Sequence, residues 1–353
     1  MKYSKLGRTG IDVSRVCLGT MTWGQQNSEN QAHEQMDYAL SQGVNFFDTA
    51  ELYAVPTSEP TQGKTEEYIG TWFEKTKNRQ NIILATKVAG GGVPWIRNGE
   101  ALTGKSVHAA IEGSLKRLKT DYVDLYQLHW PNRSFPHFGK NHAGNINFAA
   151  DNTNEVTDNL MDLLTAIGDI VKAGKVRFFG LSDDTAWGIM KYLQLSDQKD
   201  LPRVQSIQNE FSLLNRTDDP YVAEVCVRED VSYLPWSPLS CGLLSGKYKD
   251  GALPENSRWF VEKQLRENFG SFRSTSMSHA AVAAYHGVAE KHGLSPTQMA
   301  LKFVDSQNFV TSTIIGATTM EQLTSNIGAF DLDMKPDVLR DIDVVYRQFP
   351  ILY

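Results

Sequence analysis

With 353 residues, 41% of them hydrophobic and 22% charged, the chain has the composition of a folded globular protein and room for one large α/β domain or two ordinary ones. The net charge of -6 excludes a general nucleic-acid or anionic-membrane surface, since both need a surplus of Lys and Arg, so any anion site is local. Cys17, Cys226 and Cys241 lack the paired spacing of a disulfide framework or a zinc cluster, MKYSKLGRTG lacks a signal-peptide core, and no run approaches the roughly 18 apolar residues of a membrane span, which together point to the cytoplasm.

The first element in chain order is a turn. MKYSKL and IDVSRV alternate on either side of Gly7-Arg8-Thr9-Gly10, the pattern of a β-hairpin. Eight short apolar runs follow, each read as a buried strand: VCLG (16–19), VNFF (44–47), NIILATKV (81–88), YVDLYQLH (122–129), VRFFGLS (176–182), RVQSIQN (203–209), VSYLPWS (231–237) and STIIGA (312–317). Longer stretches of helical spacing separate them. After the third run, Val107, Ala110, Ile111, Leu115 and Leu118 share one face, with Lys116, Arg117 and Lys119 off it. Before the eighth, Ser295-Pro296-Thr297-Gln298 has the form of a capping box with proline in the first turn. Eightfold alternation of strand and helix predicts an α/β fold with a parallel sheet, and eight units suit closure into a (β/α)8 TIM barrel. The expectation is a single barrel domain over residues 1–353, its bottom plugged by the N-terminal β-hairpin and its C-terminal face carrying extended loops.

In such a barrel chemistry collects where the strands end. Here the strand ends are polar: Asp48, with Tyr53 five residues on, then Lys87, His129, Ser182-Asp183, Gln208-Asn209 and Trp236-Ser237, with Gly316 after the eighth strand. Singly, each has an ordinary role: Asp48 a helix cap, Lys87 a solvated rim charge, Tyr53 core, His129 a satisfied buried histidine. Their combination at successive strand ends is what carries information.

The runs NFFDTAELY, LATKV, LYQLHWP, GLSD, IQNEFSLLNR, LPWSPLSCGLLSGKY and IIGATTMEQLTSNIGA resemble the aldo-keto reductase superfamily, over residues 3 to about 345. The Trp-Ser-Pro-Leu motif and the Ser-Gly-Lys-Tyr after it are similar to the branch that holds the potassium-channel β-subunits and many bacterial reductases. The resemblance implies Tyr53 as acid/base, Lys87 and Asp48 as its tuning pair, and His129 as the residue that positions the substrate oxygen. Physical chemistry supports those roles. Hydride reduction of a carbonyl leaves an oxyanion that needs a proton, and a tyrosine of pKa about 10 gives its proton up reluctantly. A Lys87 ammonium would lower that pKa, and Asp48 would keep Lys87 charged and in place.

No GxGxxG follows the first strand, and Gly90-Gly91-Gly92 opens no helix, so a Rossmann phosphate loop is not expected. The barrel alternative is a phosphate site after strands seven and eight, where Gly316 admits close approach and Thr319 with Gln322 has capping-box spacing. By resemblance the cofactor is NADPH (NADP+). Trp236 then stacks on the nicotinamide, and Ser182 and Gln208 bond its carboxamide beside Asp183, where reductases often carry asparagine. Ser237, Pro238 and Leu239 follow the pyrophosphate, Thr318, Gln322 and Asn326 line the adenosine end, and Gly19, Thr20, Trp23 and Asp48 lie near. Many relatives carry arginine where this chain has Gln322; Lys247 and Arg258 match the basic residues of the channel-subunit branch and supply the cationic partner of the 2′-phosphate.

On the substrate side, the connection from Pro131 to about Thr157 exceeds an ordinary barrel loop. Its Phe135, His137, Phe138, His142 and Phe148, with Trp23, Tyr53, Trp95 and the insert AVPTSEPTQGK (54–64), predict an apolar mouth for a small-molecule aromatic or aliphatic carbonyl. The histidine spacing fits no standard metal set, and none is expected. Gly246 to Met277 reads as a flap over the cofactor, with Phe260, Leu265 and Phe269 at helical spacing. The expected activity is carbonyl reduction; the alternative is a nicotinamide-binding redox-sensing subunit of low turnover, whose relatives carry asparagine at the position of His129.

Overall fold

The computed structural model describes residues 1–140, 146–265 and 272–353. Its first element is the hairpin, β1 (Tyr3–Lys5) paired antiparallel with β2 (Asp12–Ser14). The eight apolar runs form β3 (Val16–Gly19), β4 (Phe46–Asp48), β5 (Ile83–Val88), β6 (Val123–Leu128), β7 (Val176–Ser182), β8 (Val204–Gln208), β9 (Ser232–Tyr233) and β10 (Thr313–Ile315). They lie in one parallel sheet of order β10-β3-β4-β5-β6-β7-β8-β9. Its ends meet where Thr311 N–H donates to Tyr233 O at 2.9 Å and Ile314 N–H to Pro235 O at 3.0 Å. The eight-stranded barrel and its hairpin therefore stand as the sequence predicts.

Around the sheet run α1 (Glu29–Ser41), α2 (Lys64–Thr76), α3 (Gly104–Leu118), α4 (Thr153–Lys172), α5 (Ala186–Lys199) and α6 (Tyr221–Glu229). They are followed by α7 (Arg258–Leu265), α8 (Ser276–Lys291), α9 (Pro296–Asp305), α10 (Met320–Gly328) and α11 (Pro336–Gln348). α3 buries Val107, Ala110, Ile111, Leu115 and Leu118, the face its spacing predicts. Arg117, read as outside that face, turns to the buried Glu66 at 2.7 Å. The Ser295 box is half formed. Ser295 Oγ accepts from Gln298 N–H, but the Gln298 amide donates to Ser325 O on α10 at 3.1 Å, tying two helices instead of closing one cap. Among the described residues no helix is long and apolar enough to cross a membrane.

The pleat separates the barrel interior into layers. Cys17, Phe46, Ala85 and Leu125 fill the lower layer, closed beneath by Leu6 and Val13 of the hairpin. The Gly7 turn is docked on the strand starts: its φ is +50°, its N–H donates to Ser232 Oγ at 2.7 Å, and Arg8 N–H donates to Gln205 Oε1 at 2.8 Å. Side chains on one face of a strand recur every second residue. Two positions further along the same four strands stand Gly19, Asp48, Lys87 and Gln127, so the apolar plug is capped by a polar layer.

Candidate active site

The polar layer is built around one carboxylate. Asp48, at the end of β4 and 2% exposed, accepts from Lys87 Nζ through Oδ2 at 2.6 Å. Its Oδ1 accepts from Gln208 Nε2 at 2.8 Å and Gln127 Nε2 at 3.3 Å. Lys87 Nζ also donates to Thr49 O at 2.9 Å and to the Tyr53 hydroxyl at 3.3 Å. The His129 ring packs edge-on against Tyr53, with centroids 5.6 Å apart. Four side chains from three strand ends and one loop thus converge as expected. Gln127 and Thr49 were not anticipated. Gln127 was legible in principle, since it is the polar residue two before His129 on the same face of YVDLYQLH.

Electrostatics refines the expected tuning. Burial would lower the Lys87 pKa, but Asp48 and then Tyr53 more than offset it, so the ammonium is held charged. The phenol departs from the expectation that it titrates below its ordinary value: burial raises it, and the charge of Lys87 only partly opposes that. Tyr53 therefore holds its proton. Burial, and then the Lys87 charge, push His129 well below its usual value, leaving a neutral ring whose Nδ1 has no partner among the described residues.

A second buried carboxylate fixes the loops above. Glu51 accepts from Ala89 N–H at 2.9 Å and from Arg97 Nη1 at 2.7 Å, while Arg97 Nη2 donates to Ala89 O at 2.6 Å. This clamp sets Trp95 beside Tyr53 and Trp130 in one apolar cluster, with the Trp95 indole N–H buried and unpartnered among the described residues. Gly90 is dictated by packing, because a Cβ there would stand 2.2 Å from Trp130 Nε1. Trp23 does not join this wall. It is fully buried and donates from Nε1 to Gln35 on α1 at 3.0 Å, which removes it from the mouth, while Gln35 in turn donates to Ala317 O at 3.3 Å beside Gly316.

The remaining cofactor candidates fall in two groups. Around Trp236, the indole N–H donates to Asp183 Oδ1 at 3.2 Å, and Ser182 and Gln208 end the adjoining strands. Thr20 is buried with its hydroxyl on Asp48 O at 3.0 Å, and Gly19 is required by packing, since a Cβ would meet Ile314 Cγ2 at 2.8 Å. Beyond Trp236, Ser237, Ser240 and Cys241 adopt φ of 51°, 48° and 56° on either side of Pro238 and Leu239. Three non-glycine residues in the left-handed region cost on the order of 1 kcal/mol each, which concentrates strain in this loop. Lys247 finds no carboxylate among the described residues, and burial followed by the charge of Arg258 holds it below its ordinary pKa. Arg258 opens α7 and pairs with Glu262 at 3.1 Å. Two neighbouring cations, one without a counter-charge, suit an anionic group.

At the end of β10, Gly316 is needed neither for a positive φ nor for packing, because a Cβ there would meet nothing within 4 Å. The space beside it is open to a ligand. Thr319 caps α10 by accepting from Gln322 N–H, yet the Gln322 side chain turns back to Thr318 N–H at 3.0 Å rather than completing the expected box. Asn326 Nδ2 donates to Gly316 O at 3.2 Å. Thr318, Gln322 and Asn326 thus frame Gly316. The open space beside Gly316 and the neighbouring cations Lys247 and Arg258 together suit an anionic ligand.

The loop after β6 closes earlier than expected, since α4 begins at Thr153. His142 lies outside the described residues, and Phe148 is 59% exposed. Phe138 stacks on Trp236 at 6.0 Å and Phe135 meets Phe138 edge-on at 6.1 Å. An open cavity of about 770 Å³, lined by Trp130, Arg133, Phe135, Phe138 and Lys140, adjoins the site there. In the segment 246–277 a short helix forms as α7, burying Trp259 against Tyr248 at 4.0 Å rather than Phe260 or Leu265. Phe269 lies outside the described residues.

Asp183 is the departure with a measurable consequence. It has φ +50° and is buried, with His137 Nδ1 4.0 Å away, and burial outweighs the histidine and raises its pKa to about 7. A carboxyl with a raised folded-state pKa binds more protons folded than unfolded, so its contribution declines as pH rises from about 4 to about 7. Asp183→Asn is therefore expected to stabilise the protein at pH 8, by up to about 4 kcal/mol, and by less than half as much at pH 5, as read by chemical denaturation. An equal effect at both pH values would refute this.

Comparison with known proteins agrees with this geometry. A family model described as the aldo/keto reductase family matches residues 15–347. Protein tas of Escherichia coli (strain K12) is 44% identical over 353 residues, covering 99% of each chain, and protein tas of Shigella flexneri gives the same figures. The uncharacterized oxidoreductase YrpG of Bacillus subtilis (strain 168) is 30% identical over 353 residues, covering 98% of this chain and 96% of its own.

Proposed function

The chain belongs to the aldo/keto reductase family, and from that premise we propose that it is an oxidoreductase that reduces an aldehyde or ketone to an alcohol, with NADPH as hydride donor and Tyr53 as general acid. The observation that carries this reading is the chain Asp48–Lys87–Tyr53, with neutral His129 against the phenol. Bound NADPH would supply the hydride. The protein does the rest: the Tyr53 hydroxyl gives its proton to the substrate oxygen, and Lys87 stabilises the phenolate left behind. His129, kept uncharged, orients the carbonyl without competing as an acid. Trp95 and Trp130 favour an aromatic or apolar group on the carbonyl, and the Trp95 N–H, unpartnered among the described residues, offers a donor to a polar substituent. The redox-sensing alternative is disfavoured by His129.

The NADPH preference rests on Lys247 and Arg258. Lys247→Ala and Arg258→Ala are each expected to weaken NADPH by about tenfold or more while changing NADH little, because a charge-assisted phosphate bond contributes about 1.5–3 kcal/mol. Fluorescence titration of the unaltered protein and both variants measures this, followed by turnover on a panel of aldehydes, ketones and sugars. Equal losses for the two cofactors would remove the 2′-phosphate from these residues.

A further inference from the structure

We propose that Tyr353 is a positioning residue that clasps the loop carrying Ser237, Pro238 and Leu239 onto the barrel and so sets how fast the cofactor leaves; the role in release rests on the cofactor reading above. Tyr353 is 6% exposed and sits 113 residues from Ser240 in sequence, yet its hydroxyl lies 3.0 Å from Ser240 Oγ and donates to Glu210 Oε1 at 3.3 Å. Ser240 is fully buried, follows Leu239 directly, and has one of the left-handed conformations that strain this loop. A strained backbone needs holding, and the Ser240 hydroxyl is bonded to Tyr353 for that purpose.

The other ends of the clasp are equally anchored. Glu210 forms a backbone bridge with Trp236 and holds Arg273 through two bonds, at 2.7 and 2.5 Å, with both side chains buried. The Arg273 guanidinium stands 5.7 Å from the Trp236 ring and 5.9 Å from that of Tyr353. Thr275 Oγ1 donates to Leu352 O at 3.0 Å, and the rings of Phe272 and Tyr353 meet edge-on at 5.6 Å. One phenol therefore joins the end of β8, the strained loop after β9 and the segment that returns past Lys247 and Arg258. A phenylalanine would fill the same space and satisfy none of the polar partners.

The test is Tyr353→Phe, with Ser240→Ala as a second variant that reaches the same bond from the other side. Amide exchange of residues 237–245 is expected to speed up about fivefold in Ser240→Ala, the loss of one ordinary hydrogen bond, and at least as much in Tyr353→Phe, which also loses the bond to Glu210, with the barrel strands unchanged. NADPH dissociation, followed by stopped flow, is expected to rise by a similar factor without a fall in kcat. The double variant is expected to add little to Tyr353→Phe, because the bond that Ser240→Ala removes is already lost there. Unchanged exchange in 237–245, or a loss of protection spread evenly over the chain, overturns the proposal. Should the unaltered protein bind no NADPH, the proposed function falls, and the exchange comparison still decides whether the clasp exists.

Discussion

Tyr53→Phe is expected to lower kcat for an aldehyde such as 4-nitrobenzaldehyde by about 10²- to 10⁴-fold, the usual worth of a positioned proton donor. NADPH affinity is expected to stay within about twofold by fluorescence titration, since the hydroxyl bonds only Lys87 among the described residues. The substitution keeps the ring, which packs on the cluster of Leu52, Ala89 and Ile96 and against His129, so neither fold nor mouth should change. Turnover retained at the unaltered rate would remove Tyr53 from the mechanism. A variant that lost NADPH affinity and turnover together would point to a collapsed site, which a melting curve would reveal.

Lys87→Met is expected to cost stability as well as activity. Lys87 is fully buried, and its removal leaves the Asp48 carboxylate with only the amides of Gln127 and Gln208. Breaking a buried pair from one side costs about 3–5 kcal/mol, because an uncompensated charge remains in a medium that solvates it poorly. Asp48 in the variant would prefer to be protonated, so the deficit should shrink as pH falls and grow as pH rises. Denaturation at pH 5 and pH 8 reads that trend. Adding Asp48→Asn removes the stranded charge and should restore much of the stability, while turnover stays lost because the phenol has no cation beside it. Recovery of turnover in the double variant would show that the pair is structural only.

The barrel and the acid were legible in the sequence because both obey short periods. Parallel strands buried on two faces appear as apolar runs, and the alternation that sends Phe46 and Ala85 inward sends Asp48 and Lys87 inward as well. Trp23 misled as a wall of the mouth because a tryptophan near a strand end reads the same whether it faces the opening or the helix behind it; its burial against Gln35 distinguishes them. The fate of Gln322 turned on a choice between two adjacent amides, Thr318 and Thr319, that spacing cannot make. The Tyr53 pKa depends on how completely the phenol is buried, which no motif encodes. Arg273, Glu210 and Tyr353 were invisible for a different reason: their contacts span 63 and 143 residues, and nothing local marks them.

The fan of donors on Asp48 has a consequence for how this scaffold can be remodelled. Lys87, Gln127 and Gln208 reach that carboxylate from β5, β6 and β8, so the acid's surroundings are a cross-section of the cylinder rather than the property of any one loop. Grafting new segments between 130 and 152 would leave all three of these donors in place. Sliding one strand by two residues would remove one of them even if every loop were kept. Repertoire and reactivity are thus inherited on separate tracks, one exchangeable in pieces and the other only as a whole.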